Sequence, residues 1–148
     1  MNEGLRRIRR PRVLIVIAAV ATSCCESSPI TSARIEQAIE PTFANLVRVQ
    51  VSWLQMPPMD ASEFQVTASC RRQLSESDAG AGDWVCTLRW LGPDFQTLRD
   101  TFDLFVTTDG CYTATAAGES LGGPRLKMSD GTEVRNLLYA FEGCFDTT

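Results

Sequence analysis

The side chains of this chain that could do chemistry are its cysteines, acids and tryptophans, because histidine does not occur. Without imidazole there is no Ser-His-Asp or Cys-His triad, no His-containing zinc site and no imidazole acid-base catalysis. Asp100 with Asp103, or Asp130 with Glu133, are the candidates for the carboxylate pair of glycoside hydrolysis, which needs an acid and a base about 5 to 9 Å apart, a separation that nothing in the sequence fixes. An odd spacing along a strand sends Asp100 and Asp103 to opposite faces, so both are read as solvated surface charge. Asp109-Gly110 and Asp130-Gly131 invite calcium, yet neither has the Asp-x-Asp-x-Asp-Gly run of an EF-hand loop, and both read as hairpin turns. Gly80-x-Gly82 and the glycines of residues 118 to 123 lack the Lys-Ser/Thr of a phosphate loop. Lys127 and Ser129 are the members of a Ser-Lys nucleophile pair, but nothing in the sequence desolvates the lysine. Trp84 and Trp90 share a strand face with Cys86 and Leu88 and could floor a ligand groove; large aromatics beside a cystine are expected in the core instead. The sequence therefore assigns no catalytic residue, cofactor or metal ligand, and the expectation is a protein that is not an enzyme.

Charge narrows the partners. Of 14 basic residues, five (Arg6, Arg7, Arg9, Arg10, Arg12) lie before residue 24 and nine after it, against 17 acids after it, so the body of the chain carries a net −8. Phosphate backbones are bound by clustered Lys and Arg, and this body holds one lysine, Lys127; nucleic acid is not an expected partner.

The basic start, the apolar run after it and the small residues before Cys24 have the three-part shape of an export signal. The apolar run 13 to 21 is nine residues long, far short of the roughly 20 that span a bilayer as a helix. Val20-Ala21-Thr22-Ser23-Cys24 resembles the lipobox of bacterial lipoproteins, with Ala21 where Leu is usual. That resemblance implies acylation at Cys24, a signal peptide over 1–23, a tether over 24–31 and a membrane anchor. The alternative is an ordinary signal cleaved near Ala21 or Ser23, releasing a soluble protein. The paired arginines admit a twin-arginine route, and Cys25 has no assigned role.

The exported body, 32–148, reads as one domain. Thr31 or Ser32 caps a helix over 32–54 through Ile35 and Ile39, with Pro41 interrupting or kinking it and Phe43, Leu46, Val47, Gln50, Trp53 and Leu54 continuing its face. Val47, Val49, Val51 and Trp53 alternate as a strand would, which is the competing reading of 46–53. Met56-Pro57-Pro58-Met59 ends the element. After a capping arrangement of Asp60 with Glu63, a first strand alternates through Phe64, Val66, Ala68 and Cys70. A polar loop over 71 to 83 leads to Trp84, Cys86, Leu88 and Trp90, then to Phe102, Leu104 and Val106, then to residues 111 to 116. Leu126 and Met128 mark a short strand, and Val134 opens a stretch reaching Cys144. The fold class is α+β: an N-terminal helix packed on a four- or five-stranded antiparallel sheet, with two disulfides.

Cys70, Cys86, Cys111 and Cys144 contain no Cys-x-x-Cys, and export delivers them to an oxidising compartment where crosslinking is the default. Local geometry favours Cys70 with Cys86, both on the apolar face. Cys111 with Cys144 is then the second pair, and Asp109-Gly110-Cys111-Tyr112 is echoed by Glu142-Gly143-Cys144-Phe145. The run 82 to 90, the motif 109 to 114 and Gly143-Cys144-Phe145-Asp146-Thr147 are similar to small secreted or lipid-anchored actinobacterial proteins of uncharacterised function. The resemblance covers most of 35 to 148 and implies a disulfide frame with no activity to carry over. The functional expectation is a non-catalytic binding or structural module at the outer face of the cytoplasmic membrane, with an envelope protein partner possible. The alternatives are a secreted soluble inhibitor or a carboxylate-dependent hydrolase.

Overall fold

Apolar side chains recur every fourth residue from Ile35 through Ile39, Phe43 and Val47 to Val51, and all five are buried, so one helix, α1 (Ser32–Trp53), presents a single stripe to the core. The computed structural model describes residues 29–147. The export signal, Cys24, Cys25 and most of the tether lie outside the described residues. Thr31 is the N-cap, its Oγ1 accepting from the Arg34 N–H at 3.4 Å. The helix reading of 46–53 holds: the stripe persists to Val51, and the alternation of valines is carried on a helix. Two details differ. Pro41 sits inside α1 without ending it. Trp53 and Leu54 leave the buried stripe and stand 43% and 41% exposed, because the helix runs past the end of its support.

Asp60 and Glu63 close a single 3-10 turn, Ala61–Phe64, with Glu63 Oε2 accepting from the Asp60 N–H at 2.6 Å. This turn takes Phe64 out of the first strand, although Phe64 is still fully buried. The strand β1 begins later, at Thr67, and runs to Arg72. The other members are β2 (Gly82–Leu91), β3 (Thr97–Val106), β4 (Cys111–Ala116), the short β5 (Arg125–Lys127) and β6 (Glu133–Arg135), and β7 (Ala140–Cys144). The five-stranded antiparallel sheet has the order β1-β2-β3-β4-β7. The expected single stretch from Val134 to Cys144 is two strands: β6 pairs with β5 in a separate hairpin, and β7 joins the sheet. The break is made by Asn136, 1% exposed, whose Nδ2 donates to the carbonyls of Leu121 and Gly123 and whose Oδ1 accepts from the Leu138 N–H. Gln50 Oε1 accepts from the neighbouring Leu137 N–H at 2.9 Å, which ties this excursion to α1.

Among the described residues, the sheet is covered on one face only. Trp84, Cys86, Leu88 and Trp90 on β2 and Phe102, Leu104 and Val106 on β3 point to α1 and are buried, while their odd-numbered neighbours face away. Phe43 anchors the contact, with its ring edge-on to Trp90 and Phe102 at centroid separations of 4.9 and 5.6 Å. At the β1 edge the sheet meets the helix through polar groups. Residues 73 and 83 are hydrogen-bonded, so counting back along the register turns the N–H groups of Cys70 and Ala68 away from β2. Glu36 Oε1 accepts from Cys70 at 2.7 Å and Glu40 Oε1 from Ala68 at 2.8 Å. Two carboxylates one helical turn apart thus occupy two donors of an edge strand that would otherwise be open to another chain.

Candidate functional site

The cysteines pair as expected, Cys70–Cys86 and Cys111–Cys144, each between residues directly opposite in register. Alternation puts the two bridges on opposite faces of the sheet. Cys70 and Cys86 lie in the core beside α1. Cys111 and Cys144 lie on the uncovered face, where Cys144 is exposed, and they fasten the C-terminal edge strand to β4.

The carboxylate candidates are not brought together. Asp100 and Asp103 occupy opposite faces of β3, as the spacing requires. Asp103 is exposed, but Asp100 is not the solvated charge expected of it: only 5% exposed, it turns inward, and its Oδ1 accepts from the Thr101 N–H at 2.7 Å. It sits under Gly118, where an added Cβ would come within 2.0 Å of Oδ1, so the glycine makes room for the buried carboxyl. Asp130 and Glu133 are exposed on the β5–β6 hairpin. Asp130 Oδ1 accepts from the N–H and Oγ1 of Thr132, at 2.9 and 2.6 Å, and Glu133 faces Arg125 at 3.9 Å. Asp109 does the same in its own turn, accepting from Thr107 Oγ1 and the Cys111 N–H. These hydrogen bonds, side-chain first, hold both turn carboxyls below the ordinary aspartate range. The two Asp-Gly sequences are turns whose glycines take φ values of 83° and 86°. No group of three or more potential metal ligands occurs among the described residues.

The other candidates resolve structurally. Gly80 and Gly82, with φ of 104° and 120°, wrap their segment around Arg72, whose guanidinium donates to the carbonyls of Ala79 and Ala81 at 3.0 and 2.9 Å. The segment offers oxygens to a cation, the opposite of a phosphate cradle. Trp84 and Trp90 are core residues, 0% and 3% exposed, and Trp84 Nε1 donates to the Gly80 carbonyl. Lys127 and Ser129 are both exposed on the small hairpin. Tyr112, 2% exposed, lies over Gly143, where a Cβ would come within 2.5 Å of its hydroxyl oxygen; burial pushes the phenol up from its ordinary range.

What individual residues did not announce is the open sheet face. Gly92 N donates to Gln96 O, so counting along the β2–β3 register makes Arg89 and Arg99 a directly opposed, non-hydrogen-bonded pair, the arrangement in which side chains come closest. Both are exposed. Thr67 and Thr97 stand in the adjoining positions, and Ser69, Thr87 and Thr101 form the next row across three strands. Further along β3, Phe105 is 53% exposed beside a groove of about 330 Å³ lined also by Thr113, Glu142 and the Cys111–Cys144 bridge. Turn reading at Gly92-Pro93-Asp94 carried to full register would have opposed the two arginines. No protein-family description, curated protein or solved structure matches this chain.

Proposed function

We propose that this chain is an exported protein, held at the outer face of the cytoplasmic membrane through an acylated Cys24, whose single disulfide-framed domain is a non-catalytic binding or structural module. The observation that carries the reading is the pair of register-matched disulfides, which fit an exported protein. No described helix is long and apolar enough to cross a membrane; in this proposal a lipid on Cys24 supplies the attachment. The kinship with small secreted or lipid-anchored actinobacterial proteins belongs to the same proposal and rests on the turn-and-cysteine motifs.

The non-catalytic part is supported by what the acids do. Glu36 and Glu40 hold an edge strand, Asp109 and Asp130 hold turns, and Asp100 and Asp103 face opposite ways. The test is the intact mass of the protein from the membrane fraction of its own cells. A chain beginning at Cys24 with added diacylglycerol and acyl mass is the expected result. An unlipidated chain beginning at residue 22 or 24, or one retaining residues 1–23, overturns the anchor.

A further inference from the structure

The open face of the sheet carries a feature that stability does not explain. Like charges directly opposite in an antiparallel pair are destabilising, and Arg89 and Arg99 are so placed in a domain that is otherwise strongly acidic. Their neighbours on this face are Thr67, Thr87, Leu91, Thr97 and Thr101, with no acid among them, and neither arginine has an ion-pair partner among the described residues. The acids that the strands themselves place on this face stand further off, Asp103 beyond Thr101, then Asp83 and Glu142 toward the other end. Two exposed arginines directly opposed in register, without an ion-pair partner among the described residues and with threonines in adjoining positions, make a local positive site able to take an acidic group with several N–H donors.

The rest of the face says what carries that group. A nucleic acid or an anionic bilayer would bring many negative charges against a body of net −8, so the fit is to an isolated acid on an otherwise neutral molecule. Arg99, Thr101, Asp103 and Phe105 succeed one another on the same face of β3 over about 20 Å. That track offers donors, hydroxyls, one carboxylate to accept from hydroxyls, and an exposed aromatic ring at a groove. It matches an oligosaccharide of about tetrasaccharide length, laid along the strand.

We propose that the open face of the sheet docks an acidic oligosaccharide, with its acid group between Arg89 and Arg99 and a sugar ring on Phe105. This rests on the reading of the domain as a binding module and is independent of the anchor. The test is calorimetric titration of the full, oxidised protein with xylotriose bearing one glucuronic acid, with xylotetraose as the neutral counterpart. The acidic sugar binds at least about tenfold more tightly than xylotetraose, and Arg89→Gln and Arg99→Gln each weaken it at least about tenfold. Phe105→Ala weakens both sugars, while Arg125→Gln, on the separate hairpin, changes neither. Equal affinity for the two sugars overturns the proposal, as does absence of binding, binding unchanged in the arginine variants, or saturation of the site by inorganic phosphate as readily as by the sugar. Binding only to phosphatidylglycerol vesicles overturns it in favour of a membrane surface. Cleavage of the bound sugar, read by product mass, would leave the docking site standing and remove the non-catalytic reading instead.

Discussion

Removing the carboxylates of Glu36 and Glu40 tests whether the helix closes the β1 edge through charge-assisted hydrogen bonds. Each accepts from one backbone N–H in a part-buried setting, at 2.7 Å for Glu36 and 2.8 Å for Glu40. Hydrogen bonds to charged groups contribute about 1.5–3 kcal/mol. Partial exposure lowers that to roughly 1–2 kcal/mol apiece, and relief of like-charge repulsion between groups four apart on a helix returns about 0.3 kcal/mol. The Glu36→Ala/Glu40→Ala double variant is therefore expected to lose about 2–4 kcal/mol, lowering the urea midpoint by about 1–3 M for a domain of this size. Glu36→Gln/Glu40→Gln keeps an acceptor at each site and should lose less than half as much. Because the freed N–H groups of Ala68 and Cys70 lie on an edge strand, the alanine variant should also self-associate at high concentration, read by sedimentation velocity. A double alanine variant within about 0.5 kcal/mol of the parent, monomeric throughout, refutes the edge-closing role.

The remaining predictions use other parts of the frame. Under graded dithiothreitol, Cys111–Cys144 should open before the core bridge Cys70–Cys86, because thiolate attack needs access, and differential alkylation with peptide mapping reads the order. Loss of either bridge by paired Cys→Ala substitution should cost about 3–4 kcal/mol on the chain-entropy model, read by urea unfolding. Gly143→Ala drives a methyl into the Tyr112 ring and should destabilise by about 1–3 kcal/mol. Tyr112 ionises above its ordinary range because burial disfavours the phenolate, so its contribution to stability is full below the unfolded phenol range near pH 10 and is lost as pH rises through the folded value; ultraviolet titration of Tyr112→Phe against the parent shows the missing late step. Asp109 and Asp130 are shifted the other way: the stability they add is present above the unfolded range near pH 4 and disappears as pH falls through their folded values, which unfolding of Asp109→Asn and Asp130→Asn across acid pH would register.

Periodicity made most of the fold legible. The four-residue spacing from Ile35 through Ile39 and Phe43 pointed to a helix, with a strand competing over 46–53, and alternation set Cys70 and Cys86 on one apolar face, leaving Cys111 and Cys144 as the second pair. Alternation failed at Phe64, where the local Asp60–Glu63 bond closes a turn first, and at Val134 to Cys144, where a buried asparagine redirects the chain by satisfying carbonyls distant in sequence. Asp100 departs from its expected solvation because burial of an acid depends on a glycine from another part of the chain, Gly118. The candidate site is hidden in the sequence for the same reason. Arg89 and Arg99 look like ordinary surface residues until strand register sets them opposite one another.

The exported, crosslinked state is the claim on which the functional reading stands, and the mass of the native membrane-fraction protein, taken before and after reduction, tests it most directly. The expected result is a lipid-bearing chain starting at Cys24 that takes up four hydrogens on reduction, two at each bridge. A full-length chain with Cys70, Cys86, Cys111 and Cys144 already reduced would contradict it.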